Sequence, residues 1–171
     1  MPPLTRGDLV NLTFTVNGEK QLDRALGLYA SAVKDMRPVW PDIRDDFTDG
    51  QEEQFSSQGQ SGSGGWVSLS SDYGAWKALN FPGMPILQRT GRLKSSLTER
   101  SHADFRYEAG RMGLTMGTKV PYAGYHQTGT RKMPRRPPIE LTEAQRRGWV
   151  KMIHAYIVES GQAQTAIGTV L

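Results

Sequence analysis

The chain contains no cysteine. That excludes disulfide bonds, thiolate catalysis and cysteine-ligated zinc. No stretch approaches the roughly 20 consecutive apolar residues of a membrane span. The N-terminal Met1-Pro2-Pro3-Leu4-Thr5-Arg6 lacks the apolar core of a signal peptide, so a protein made in a cytoplasm and needing no export is expected. Histidine is scarce: His102, His126 and His154 stand without a second ligand at metal-binding spacing. Serines are plentiful, but none sits in a GxSxG elbow. The run QGQSGSGG is not followed by Lys-Ser or Lys-Thr and is no phosphate loop. The acids between Asp42 and Glu53 lack the alternation and glycine of a calcium loop. No catalytic residue, metal ligand or cofactor site is expected, and the chain does not read as an enzyme.

What is present is modest in size and polar. A chain of 171 residues favours one domain spanning 1–171. A domain of that size buries about 70% of its unfolded surface, enough for a real core. Hydrophobic residues make up 37% and the mean hydropathy is −0.54, as in a soluble protein. The 19 glycines and 10 prolines exceed the usual combined share of about 12%, which predicts long loops. The net charge of +4 is unevenly spread. Asp42, Asp45, Asp46, Asp49, Glu52 and Glu53 face one base, Arg44, in the same stretch. Arg131, Lys132, Arg135 and Arg136 cluster with no acid between them. These segments read as two solvated surfaces, as complementary patches, or as one patch that faces DNA.

Periodicity divides the chain into elements. Val10, Leu12, Phe14 and Val16 alternate with polar residues, which predicts a half-buried strand over 9–16. Leu22, Leu26, Tyr29, Val33 and Met36 then fall on a helical stripe. Pro38 and Pro41 interrupt it, and a second helix with Trp40, Ile43 and Phe47 inside runs toward Phe55, weakened at Gly50. Residues 56–65 are low in complexity and predict a flexible Gly/Ser loop. Ser71 caps a short helix bearing Tyr73, Trp76 and Leu79. Thr90-Gly91 is a turn before a segment with Leu93 and Leu97. Residues 104–117 predict a hairpin turning near Gly110, with Met112, Leu114 and Met116 alternating in its second arm. Residues 121–127 form a helical turn or tight loop, and three prolines bar 129–138 from regular structure. Thr142 and Gln145 form a capping box for a last helix with Val150, Ile153 and Ile157 inside and Trp149 and Tyr156 beside them. Gly161 ends it, and 162–171 is a tail of uncertain form. The expected class is α+β, a small antiparallel sheet packed with several helices.

Three motifs in order carry a resemblance. Trp66-Val67-Ser68-Leu69-Ser70 comes first, followed by Tyr73 and Lys77. Ile86-Leu87-Gln88-Arg89-Thr90-Gly91-Arg92-Leu93 follows, with Ser95-Ser96-Leu97 behind it. Pro121-Tyr122-Ala123-Gly124-Tyr125-His126-Gln127-Thr128-Gly129-Thr130 is third, and a basic, proline-containing turn leads into the final helix. Over residues 65–139 this order resembles the phage virion-morphogenesis, or tail-completion, proteins, including head–tail junction proteins similar to the G protein of phage Mu. Where that family often has Arg before a large hydrophobic pair, Arg136 here precedes Pro137-Pro138-Ile139, so the entry to the last helix differs.

The resemblance implies an architectural part of a tailed bacteriophage. Such a subunit completes or terminates the tail at the neck, so that it can join a filled head. It implies a homo-oligomeric ring, most simply of six, that meets head-completion or connector proteins and tail-tube proteins. Genomic DNA would pass through its lumen. It places the chain in the virion tail or neck, and in the host cytoplasm during assembly, with no membrane partner. Tyr suits interfaces. The expected contact residues are Tyr122, Tyr125, His126, Gln127, Arg131, Lys132, Arg135 and Arg136, with Trp66, Leu69, Leu87 and Leu93 as core anchors. The alternative is a DNA-binding module that uses the basic 131–136 loop. No aromatic interleaves that loop, so base stacking is not part of it.

Overall fold

Prolines set the first boundary. Pro38 and Pro41 cannot donate in a helix interior, and the chain turns between them. The computed structural model describes residues 19–62 and 64–167. The strand expected at 9–16 lies outside the described residues. The elements run α1 (Glu19–Lys34), α2 (Trp40–Ser56), α3 (Ser71–Asn80), α4 (Arg92–Thr98), β1 (Phe105–Ala109), β2 (Leu114–Thr118), α5 (Ala123–Thr128) and α6 (Glu143–Ile167). This is a small α+β fold with one two-stranded antiparallel sheet among the described residues.

Helix α2 follows its pattern. Pro41 sits in its first turn, and Trp40, Ile43, Phe47 and Phe55 are buried. Gly50 does not break it. The Gln145 side chain occupies the space where a Gly50 Cβ would project, so the glycine admits the start of α6. Helix α1 departs from the expected stripe. It packs against α6 with Ala32 buried, while Leu26 and Val33 stay 55% and 41% exposed. The neighbour available, and not the widest apolar run, decides which side of α1 is covered.

The hairpin pairs Phe105 with Thr118 and Tyr107 with Met116. Its turn closes by Gly110 N–H donating to the Gly113 carbonyl at 2.8 Å. Met112 lies at the tip, exposed, and is not part of the β2 alternation. Two contacts tie this tip to the α1–α2 junction: Met36 N–H donates to the Arg111 carbonyl at 2.7 Å, and Trp40 Nε1–H to the Gly110 carbonyl at 2.7 Å.

One core cluster centres on Phe47, Phe55, Trp66, Leu93, Leu97 and Phe105. A second holds Met36, Val39, Trp40 and Ile43. Tyr107, Met116 and Trp149 pack against both and join them. Of the expected anchors, Trp66 and Leu93 are buried. Leu87 is half-buried against the first cluster, and Leu69 is half-buried outside it, so Leu69 is not a core anchor. The carbonyls of Val67 and Ser68 just before it accept from Arg136 in the extended segment that leads into α3.

Residues 56–65 were expected to form a flexible loop; in the described stretches, 57–62 and 64–65, the chain is hydrogen-bonded into turns. Gly59 N–H donates to the Gln54 carbonyl at 2.8 Å, Gly65 N–H to the Gly59 carbonyl at 3.0 Å, and Trp66 N–H to the Gln58 carbonyl at 2.8 Å. Ser61 Oγ–H donates to Gln54 Oε1 at 2.8 Å. Composition misleads here because the ordering comes from backbone bonds and from the buried amide and ring at the two ends, Gln54 and Trp66.

Helix α6 opens as expected. Thr142 N–H donates to Gln145 Oε1 at 3.0 Å and Gln145 N–H to Thr142 Oγ1 at 3.1 Å, a reciprocal capping box. Its inner side is Trp149, Met152, Ile153, Tyr156 and Ile157, whereas Val150 is 66% exposed. Gly161 does not end the helix, which runs to Ile167. A helical glycine costs about 1 kcal/mol, too little by itself to stop a long helix.

Trp66 packs edge-on against Phe55 at 5.3 Å and donates from Nε1 to the Pro137 carbonyl at 3.0 Å. Trp66→Ala is expected to cost about 3–5 kcal/mol. The urea midpoint reports it, and a loss under about 1 kcal/mol would contradict a structural role for this ring.

Candidate functional site

The third and first motifs meet through the basic, proline-rich strap. Gly129 (φ 77°) begins it in the left-handed region, and a Cβ there would lie 2.9 Å from Arg135 N. Only glycine allows both the turn and that approach. Thr130 N–H donates to the Met133 carbonyl at 2.8 Å, doubling the strap back on itself. Gln127 then clamps its far end: Nε2 donates to the Ile139 carbonyl at 2.8 Å, and Oε1 accepts from Ile139 N–H at 3.2 Å. The Pro137 carbonyl accepts from Trp66 Nε1 and, at 3.2 Å, from Gln54 Nε2.

Arg136 is the join. It is 6% exposed, its Nε donates to the Val67 carbonyl at 2.6 Å and an Nη to the Ser68 carbonyl at 2.8 Å. Its own N–H donates to the His126 carbonyl at 2.9 Å. Arg136 and Gln127 were expected as contact residues. Their polar groups are engaged within the chain, so both also hold the strap in place. A buried guanidinium needs acceptors for its fork of donors, and the extended segment before α3 supplies carbonyls in place of a carboxylate.

Arg131, Lys132 and Arg135 are exposed, as are Tyr122 and Tyr125, at 38% and 62%. Arg135 reaches the Gln127 carbonyl and Glu140. His126 stacks edge-on to Tyr122 at 6.1 Å, and its Nδ1 is buried without a partner. Burial, and then the neighbouring Arg136 charge, lower its pKa.

These pieces border a groove of about 990 Å³ between α3, the 87–93 segment, α5 and the strap. Its walls are partly apolar, with Leu69, Leu87, Leu93, Tyr73 and Met133. Its cations are Lys77, Arg89, Arg92, Lys132 and Arg136, and no Asp or Glu lines it. Leu87 holds a left-handed backbone (φ 61°), a conformation that costs a non-glycine residue about 1–3 kcal/mol and persists where surrounding contacts enforce it.

Helix α3 forms one wall, and its burial is inverted. Lys77 is its only buried residue, donating from Nζ to the Pro85 carbonyl; burial lowers its pKa. Tyr73 and Trp76 stack at 5.5 Å on the exposed side, and Leu79 is 84% exposed. Ser70, not Ser71, is the cap position. Sequence reasoning missed Lys77, Arg89 and Arg92 as groove residues. The signal was available in the second motif, where two arginines flank Thr90-Gly91.

Two outcomes follow. Arg136→Met is expected to cost about 1–3 kcal/mol per carbonyl left unsatisfied, while Arg131→Ala stays within about 0.5 kcal/mol; paired denaturant curves check it. His126 binds fewer protons folded than unfolded. Its contribution is therefore full above the ordinary value of 6.5 and falls as pH drops from there through the lowered folded value. The stability loss between pH 7.5 and pH 5.5, about one unit either side of an ordinary imidazole, should shrink in His126→Gln. An unchanged pH slope would contradict it.

Among the described residues no helix is long and apolar enough to cross a membrane. No curated protein and no solved structure matches the chain. Residues 18–157 match the sequence profile of the Phage virion morphogenesis family, most of the chain and all of the groove-forming motifs. The chain belongs to the phage virion morphogenesis family.

Proposed function

We propose that the chain is a structural subunit of the head–tail junction, which completes the tail as a homo-oligomeric ring and carries out no turnover. The observation that carries this reading is the family match across residues 18–157, which makes the protein a participant in phage virion assembly. The surface supports a contact role. Two of the groove's cations, Lys77 and Arg136, are bonded to backbone carbonyls, which suits a shaped surface. The exposed Tyr73, Trp76, Leu79 and Tyr125 add apolar and aromatic area of the kind that marks protein contacts. Head-completion, connector and tail-tube proteins are the neighbours such a ring would meet, with DNA crossing its lumen. The basic strap is a weaker basis for the DNA-binding alternative, because one of its four cations, Arg136, is buried.

A phage lacking this gene is expected to yield filled heads and separate tails. Purified protein added to that lysate should restore joined particles, counted by electron microscopy and plaque titre. Joined, infectious particles made without the protein would overturn the junction role. Monomeric protein with strongly salt-dependent duplex binding would favour the alternative.

A further inference from the structure

The groove is concave, cationic and free of acids, and its chain carries the opposite surface elsewhere. On α2, Asp42, Asp46, Asp49 and Glu53 are spaced i, i+4, i+7 and i+11, one helical face about 16 Å long. Asp42, Asp49 and Glu53 are exposed and, among the described residues, pair with no cation. Asp46 accepts from Trp149 Nε1 at 2.6 Å. Like charges at this spacing repel along a helix, and a cationic partner removes that cost. On the other surface, Arg89 and Lys132 at the groove and Arg131 beside it have, among the described residues, no carboxylate partner.

We propose that the groove and its strap receive the acidic face of α2 from a second copy of the chain. This rests on the ring reading above and names its interface. The two surfaces differ, so the contact is heterologous, the type that closes into a ring when repeated. The groove also favours protein over duplex DNA. Its apolar walls suit the surface of a protein, whereas a duplex is met by exposed cations on a surface that follows its backbone.

The test uses two full-length charge-reversed variants: Asp49→Lys with Glu53→Lys, and Arg131→Glu with Lys132→Glu. Sedimentation velocity of the wild-type chain should show assembly that weakens with salt. Each variant alone should assemble at least about a hundredfold more weakly, since like charges then face each other. An equimolar mixture should regain assembly, because an alternating ring restores opposite charges at every contact. Variants that assemble as the wild type does, or a mixture that stays dissociated, would overturn the pairing while the ring reading stood. A wild-type chain that never self-associates, or that binds duplex DNA through these cations as a monomer, would remove both. Circular dichroism checks folding. Should a reversal unfold the chain, Asp49→Asn with Glu53→Gln and Arg131→Gln with Lys132→Gln replace it. About tenfold weaker, salt-insensitive assembly is then expected, and unchanged assembly counts against the proposal.

Discussion

The carbonyl of Pro137 ties together segments that lie far apart in sequence. It accepts from Trp66 Nε1 and Gln54 Nε2, so the end of α2, the turn after it and the strap before α6 converge on one oxygen. Proline makes this possible. Pro137 and Pro138 carry no N–H and can be buried without leaving donors unsatisfied, while their carbonyls remain strong acceptors. Loss of this meeting point would loosen the turn at 57–62, the segment before α3 and the entry to α6 together.

Around that oxygen the long polar side chains act as struts. Arg136 carries two carbonyls of the extended segment before α3, Gln127 clamps Ile139, and Lys77 carries Pro85. Each exchanges hydration for a bond to main chain, and an amide or guanidinium reaches where a short side chain would not. The result is a groove whose walls are set by hydrogen bonds more than by apolar packing. It explains how α3 can place Tyr73, Trp76 and Leu79 outward and still be held. Its attachment runs through Lys77 and through the segment that Arg136 grips.

Charge in this molecule therefore divides into two kinds. Arg136 and Lys77 are internal supports whose removal would be felt as lost stability. Arg131, Lys132 and Arg89 lie at the surface, as do Asp42, Asp49 and Glu53 on α2, and they remain available to a partner. A sequence run such as Arg131-Lys132-Met133-Pro134-Arg135-Arg136 conceals that division, because composition weighs all four charges alike.

The sequence by itself determined the local elements: α2 from its prolines and apolar spacing, the hairpin about Gly110, the left-handed Gly91 (φ 79°) before α4, and the reciprocal Thr142–Gln145 cap. Each depends on residues within a few positions of one another, where spacing and steric preference suffice. Tertiary structure alone decided which side of α1 is covered, that Val150 faces out, that Gly161 is passed over, and that residues 56–65 are bonded into turns. It also decided that Arg136 and Gln127 are struts and that Lys77 is the buried residue of α3. Several of these outcomes depend on partners 8 to 121 residues away, such as Pro85 for Lys77, Val67 for Arg136 and Asp35, just after α1, for Tyr156 of α6. The energy of a buried donor is set by the acceptor that arrives beside it, and no local pattern specifies that arrival.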